Sequence, residues 1–192
     1  MKQPLQTAQR MLALACAWLF LTLIASAVEP IKITKEDTAL DLTRAVEMYS
    51  NQGEKLTVST APGPDGIVRR IEVESDPERA SGDWAVFALA NNTDAQIDRL
   101  IVAPHFRLAK SGLVWPDLGS KRVLSITPSE GFALDQQDSA DADIFLVTLN
   151  PGTVVTFVAS LATPKLPQIY LWSPDAYKDT VNAYTLYRGI VL

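Results

Sequence analysis

Trp84-Ala85-Val86-Phe87-Ala88-Leu89-Ala90 is apolar throughout and stops at Asn91-Asn92-Thr93-Asp94, a cluster of turn formers. An apolar run of this length, closed by turn residues, reads as a central strand buried on both faces. Ile97–Ala103 returns beyond the turn, and the two runs are expected to pair as a hairpin with a loop of a few residues. The same pattern extends outward in both directions. Upstream, Lys55–Thr60 is closed by Ala61-Pro62-Gly63-Pro64-Asp65-Gly66, and Ile67–Glu74 alternates as a strand with one buried face. Downstream come Leu113–Trp115, Val123–Thr127, Ile144–Leu149, Thr153–Leu161 and Gln168–Trp172, with Asn150-Pro151-Gly152 as a strong turn. Short strands at this spacing predict an all-β sandwich of jelly-roll type. A parallel α/β sheet is excluded because no crossover helices are present. Asp37–Tyr49 is the one early helical pattern, with Leu40, Leu42, Ala45, Val46, Met48 and Tyr49 at three- and four-residue spacings and Asp37 as cap.

The chain has 192 residues, is 47% hydrophobic and 20% charged, and carries 17 Lys and Arg against 22 Asp and Glu. This is the composition of one globular domain. The acidic balance argues against nucleic acid, which demands a basic face. A single Cys and a single His exclude an internal disulfide framework and argue against a zinc cluster or an enzyme with several imidazoles.

Met1–Arg10 holds Lys2 and Arg10 and no acid, Met11–Ile24 is almost wholly apolar, and Ala25-Ser26-Ala27 is a small-x-small site. These are the three parts of a secretory signal peptide, with cleavage expected after Ala27. As a membrane helix the apolar run would span only about 21 Å, short of the bilayer core. Cys16 lies inside that run, so the mature chain is cysteine-free, with 15 basic against 22 acidic groups and a net charge of −7. Export without disulfides points to a bacterial periplasm, where the Asn91-Asn92-Thr93 sequon is incidental. The expected organisation is a signal peptide over 1–27, a β-sandwich over 28–173 and a C-terminal helix over 174–192. That helix is capped by Ser173-Pro174-Asp175. Its apolar end, Gly189-Ile190-Val191-Leu192, reads as the start of a membrane segment.

No familiar catalytic motif emerges. His105, in Ala103-Pro104-His105-Phe106-Arg107, lacks a recognisable nucleophile and orienting acid, and reads as a loop or sheet-edge histidine. Asp135, Asp138, Asp141 and Asp143 form an acidic run that could hold calcium. It lacks the glycine and the spacing of a regular calcium loop, so a solvated loop is expected. Arg69-Arg70 is expected to be neutralised by Glu72, Glu74 and Asp76. Among the aromatics, Trp84 belongs to the core, whereas Trp115, before Pro116-Asp117, is the best candidate for exposure. Exposed rings can stack on sugars. The candidate ligand contacts are Trp115, Phe106 and Trp172, with Arg107 beside Phe106. No catalytic residue, metal or cofactor is expected.

From Trp84 onward the sequence resembles a known family. The resemblance rests on Trp84–Asn92, on Leu149-Asn150-Pro151-Gly152 followed by Thr156-Phe157-Val158-Ala159, on Leu166–Tyr177, and on Tyr187-Arg188-Gly189-Ile190-Val191. These resemble the extracellular sensor domain of bacterial seven-transmembrane receptors with diverse intracellular signalling modules. The resemblance covers a little over half of the chain. It implies a jelly-roll domain akin to carbohydrate-binding modules, ahead of membrane helices and a cytoplasmic output such as cyclic-di-GMP turnover or a histidine kinase. The expected partners are a small-molecule or carbohydrate ligand, the membrane through the C-terminal helix, and a second copy of the chain in a homodimer. Two other readings stand beside it. A free periplasmic carbohydrate-binding module requires the C-terminus to fold back on the sandwich. A jelly-roll hydrolase requires convergent acids in a cleft.

Overall fold

The computed structural model describes residues 28–108, 114–116 and 120–191, with the backbone alone for 106–108, 114–116 and 183–191. The expected signal segment, 1–27, lies outside the described residues. The fold is all-β, with two facing sheets and a C-terminal helix. In the first sheet, β6 (Trp84–Asn91) pairs with β13 (Val154–Leu161), which pairs with β10 (Val123–Pro128). The other edge of β6 is shared by β1 (Pro30–Ile33), parallel, and β3 (Glu47–Tyr49), antiparallel. The second sheet runs β11 (Asp135–Gln137), β12 (Ala142–Leu149), β7 (Ile97–Pro104), β14 (Tyr170–Trp172) and β2 (Ala39–Asp41). Two hairpins stand outside these sheets: β4 (Lys55–Ser59) with β5 (Arg70–Glu74), and β8 (Phe106–Leu108) with β9 (Val114–Pro116). The helix α1 spans Pro174–Val191.

Why β6 tolerates no polar residue before Asn91 follows from the two-residue period of a strand. Ala85, Phe87 and Leu89 point between the sheets, where Phe87 stacks on Phe157 with ring centroids 5.4 Å apart. Trp84, Val86 and Ala88 point the other way, into a second cluster completed by Leu56, Val58 and Val73 of the β4–β5 hairpin. A third cluster covers the outer face of the second sheet, where Leu100, Val102, Ala142 and Ile144 meet Trp172 and Tyr177. The sandwich is therefore covered on both sides, by a hairpin over one sheet and a helix over the other.

The expected pairing of Trp84–Ala90 with Ile97–Ala103 is wrong. β6 and β7 lie in different sheets, and the chain crosses the sandwich between them, as it does between β12 and β13. Asn91 holds both crossings together. Fully buried, it donates from Nδ2 to the carbonyls of Ala95 (2.8 Å) and Leu149 (2.9 Å). Its Oδ1 accepts from the amide and hydroxyl of Thr93. Gly152 N–H donates to the Asn91 carbonyl and Asn91 N–H to that of Thr153. This successive switching of sheets makes the fold a β-sandwich.

The helix expected over Asp37–Tyr49 is absent. That stretch crosses from β2 in one sheet to β3 in the other, so its apolar residues serve two sheets rather than one helix face. Leu42 is fully buried and its N–H donates to Ile169 O, whereas Met48 is 44% exposed. Asp37 caps no helix; its Oδ2 accepts from the amide and hydroxyl of Thr34. The β5 strand begins at Arg70 rather than Ile67, because Ile67 and Val68 lie in the exposed turn between β4 and β5.

Candidate functional site

Three of the four candidate ligand residues fall on one hairpin. β7 ends at Pro104, and after His105 the chain continues as β8. The β8–β9 register sets Phe106 opposite Pro116, Arg107 opposite Trp115 and Leu108 opposite Val114. Arg107 and Trp115 are thus direct cross-strand neighbours. Leu113, expected at the start of this strand, lies outside the described residues.

Trp172 is elsewhere and has a different role. Its register partner on β7 is Leu100, several residues back from the hairpin, and its half-buried ring meets Tyr177 edge-on with centroids 6.0 Å apart. It is therefore the seat of α1 and does not join the hairpin residues in one site. The helix starts as its sequence dictates: Ser173 Oγ accepts from Ala176 N–H at 3.4 Å and Ser173 O from Tyr177 N–H at 3.0 Å. Burial pushes the Tyr177 phenol above its ordinary value, and the nearby Asp141 charge adds to the shift. Among the described residues, no helix is long and apolar enough to cross a membrane.

At the root of the β8–β9 hairpin lies a buried histidine–carboxylate contact that the spacing of the acidic run does not reveal. His105 Nε2 stands 3.1 Å from Asp143 Oδ1, with both side chains 3% exposed. The contact is close but off the hydrogen-bond line. The other ring nitrogen, Nδ1, is 3.0 Å from Ala140 O, and His105 N–H donates to Asp141 O at 2.8 Å. Asp143 Oδ2 accepts from the amides of Arg122 (2.6 Å) and Val123 (2.9 Å). His105 thus sits between β7 and β8, within the expected loop or sheet-edge setting but buried, and Asp143 leaves the solvated run. The remaining acids of that run, Asp135, Asp138 and Asp141, are exposed, and Asp135 begins edge strand β11. No group of three or more potential metal ligands occurs among the described residues. Asp143 could have been recognised by its phase: it alternates with Phe145, Val147 and Leu149, all core residues.

No family model matches the chain, and no curated protein or solved structure does either. Its function must therefore be argued from its own residues.

Two open grooves flank Glu130, in the loop after β10. One, of 480 Å³, is lined by Phe132, Asp135, Leu146, Thr148 and Asn150 among others. The other, of 530 Å³, runs between the β4–β5 turn and the start of β13, past Thr60, Asp65, Arg69, Ser129 and Val154. Arg69 is neutralised by Asp65, at 2.6 Å, and not by the acids expected. The Arg69 hydrogen bond, with help from Ile67 N–H, holds the Asp65 carboxyl below its ordinary value. Glu72 and Glu74 instead pair with Lys55, and Asp76 pairs with Arg79. Hydroxyls, an amide and carboxylates beside apolar walls suit a polar, hydroxylated ligand. Trp172 lines neither groove.

Proposed function

We propose that this chain is a periplasmic, non-catalytic sensor domain of a membrane signalling receptor, binding a small ligand of carbohydrate type. The observation that carries this reading is the continuity of β14 with α1. β14 is an interior strand of the second sheet, bonded to β7 on one side and β2 on the other, and the helix follows it after Ser173. A shift of that sheet is passed directly to the helix, with Trp172 and Tyr177 as the contact. The ligand, on this reading, meets the sandwich at the β8–β9 hairpin or at the grooves beside Glu130, and acts by favouring one seating of α1 over another. The resemblance of Trp84–Val191 to receptor sensor domains points the same way. Cyclic-di-GMP turnover or a histidine kinase is the output that resemblance implies.

A free carbohydrate-binding module is the second reading, favoured by the first turn of α1 folding back onto the sandwich through Tyr177. One set of measurements separates the two. The chain is expressed with its leader in a Gram-negative host and fractionated. Thermal melting of the purified protein is then followed against a panel of mono- and oligosaccharides. A periplasmic protein whose melting temperature a saccharide raises, and whose α1 spectroscopic probe responds to it, supports the sensor. Stabilisation with an unresponsive helix supports the free module. Cytoplasmic retention of the chain with its leader contradicts both.

A further inference from the structure

The buried pair at the root of the β8–β9 hairpin has a geometry that depends on a proton. The chain leaves the second sheet at His105 and rejoins the first at Val123, and Asp143 touches both points. One carboxylate oxygen faces the His105 ring, while the other takes the amides of Arg122 and Val123. All the oxygens around the ring are acceptors: Ala140 O at Nδ1 and Asp143 Oδ1 at Nε2. A protonated ring donates to Ala140 and presents a cation to Asp143. A neutral ring keeps one N–H, so one nitrogen lone pair is set against an oxygen in a site buried from water.

We propose that the His105–Asp143 pair is a protonation-dependent fastener of the β8–β9 hairpin, so that the anchoring of its backbone to the sandwich follows the surrounding pH. His105 and Asp143 are positioning residues, and the functional value of this device rests on the sensor reading above. Among the described residues, the other ionisable groups around the pair are Asp141, whose carbonyl holds His105 N–H, Arg122 at the return point, and the phenol of Tyr177, which feels the Asp141 charge. Asp141 is exposed to solvent, whereas Asp143 is not. The direct partner of the ring is therefore Asp143. At low pH the fastener is closed. As pH rises and the imidazole loses its proton, the ion pair is lost and the hairpin loosens at both ends.

Because His105 is the single histidine of the chain, its ring gives an unambiguous nuclear magnetic resonance signal. The experiment follows that signal across the imidazole range, about pH 5 to 8. Hydrogen exchange of the full chain is measured at the same pH values and corrected for intrinsic rates. Exchange in β8, β9 and residues 120–123 is expected to rise about tenfold towards high pH, as the buried carboxylate loses its cationic partner. It should rise in step with loss of the His105 proton, while β6 and β13 stay protected. His105→Gln is expected to abolish the pH dependence, and Asp143→Asn to do the same if His105→Gln fails to fold. A hairpin whose exchange is indifferent to pH in the wild-type chain overturns the proposal, as does a pH dependence that survives His105→Gln. None of these readouts involves a ligand, so failure of the saccharide panel removes the sensor reading without touching the fastener.

Discussion

Both outer faces of the sandwich are apolar, and they are covered by different means. Over the first sheet, the β4–β5 hairpin closes on Trp84, Val86, Ala88 and Val158, each 1% exposed or less. It is also tied by side chains of the sheet it covers: Thr156 Oγ1 accepts from Ala61 N–H at 2.8 Å, and the Trp84 indole donates to Gly53 O at 3.2 Å. Over the second sheet, the start of α1 closes on Leu100, Val102, Ala142 and Ile144 mainly through two half-buried aromatics, Trp172 and Tyr177. The first cover is part of the core. The second, among the described residues, rests on half-buried side chains, and segments with fewer buried contacts open at lower free energy.

The difference can be broken most severely at its strong side. Trp84→Ala empties the centre of the hairpin-covered cluster and should cost about 3–5 kcal/mol, read as a large loss in urea midpoint or as failure to fold. Thr156→Val keeps the shape but leaves the Ala61 N–H without its buried acceptor. A loss of about 1–3 kcal/mol is expected by chemical denaturation, together with faster exchange at residues 60–61. Tyr177→Ala should cost only about 1 kcal/mol of global stability, because the ring is half exposed, while helix α1 loses its docked state by hydrogen exchange. Equal global losses for Trp84→Ala and Tyr177→Ala would erase the contrast.

The smallest effect is one of pH. Burial raises the Tyr177 phenol above 10.0, so the folded state holds the proton after the unfolded chain has released it. The stabilising contribution is intact below that ordinary value and is lost as pH climbs through the raised one. Alkaline titration of the phenol absorbance should therefore release α1 before the sandwich melts. Tyr177→Phe should remove that step.

What the sequence revealed was local. The runs that became β6, β7, β12 and β13 announce themselves because each is eight residues long, buried along most of its length and bounded by turn formers. Ser173-Pro174-Asp175 likewise marks the start of α1. Partnership across the sandwich was not legible, since nothing in Trp84–Ala103 distinguishes a hairpin from a crossing between sheets. The buried Asn91 that stabilises the crossing looks like any turn residue. Residues 37–49 misled for a related reason: apolar residues delivered to two sheets in turn can imitate helical spacing. Of the candidate site, Phe106, Arg107 and Trp115 do share a hairpin, while Trp172 belongs to the helix seat. The His105–Asp143 pair was hidden because an acid in a charged run reads as solvated until strand phase places it in the core.

A distance measurement tests most directly whether α1 is a separable cover seated on Trp172 and Tyr177. Met48 and Val181 are both exposed, 44% and 43%, and with Cys16 replaced they can carry the only two spin labels, one on the first sheet and one on the helix. A matched pair at Met48 and Val68 reports the β4–β5 hairpin. Tyr177→Ala should broaden the Met48–Val181 distance distribution and leave Met48–Val68 narrow. A Met48–Val181 distance that stays equally narrow without Tyr177 would contradict the account, because the helix would then be fixed by something other than its aromatic seat.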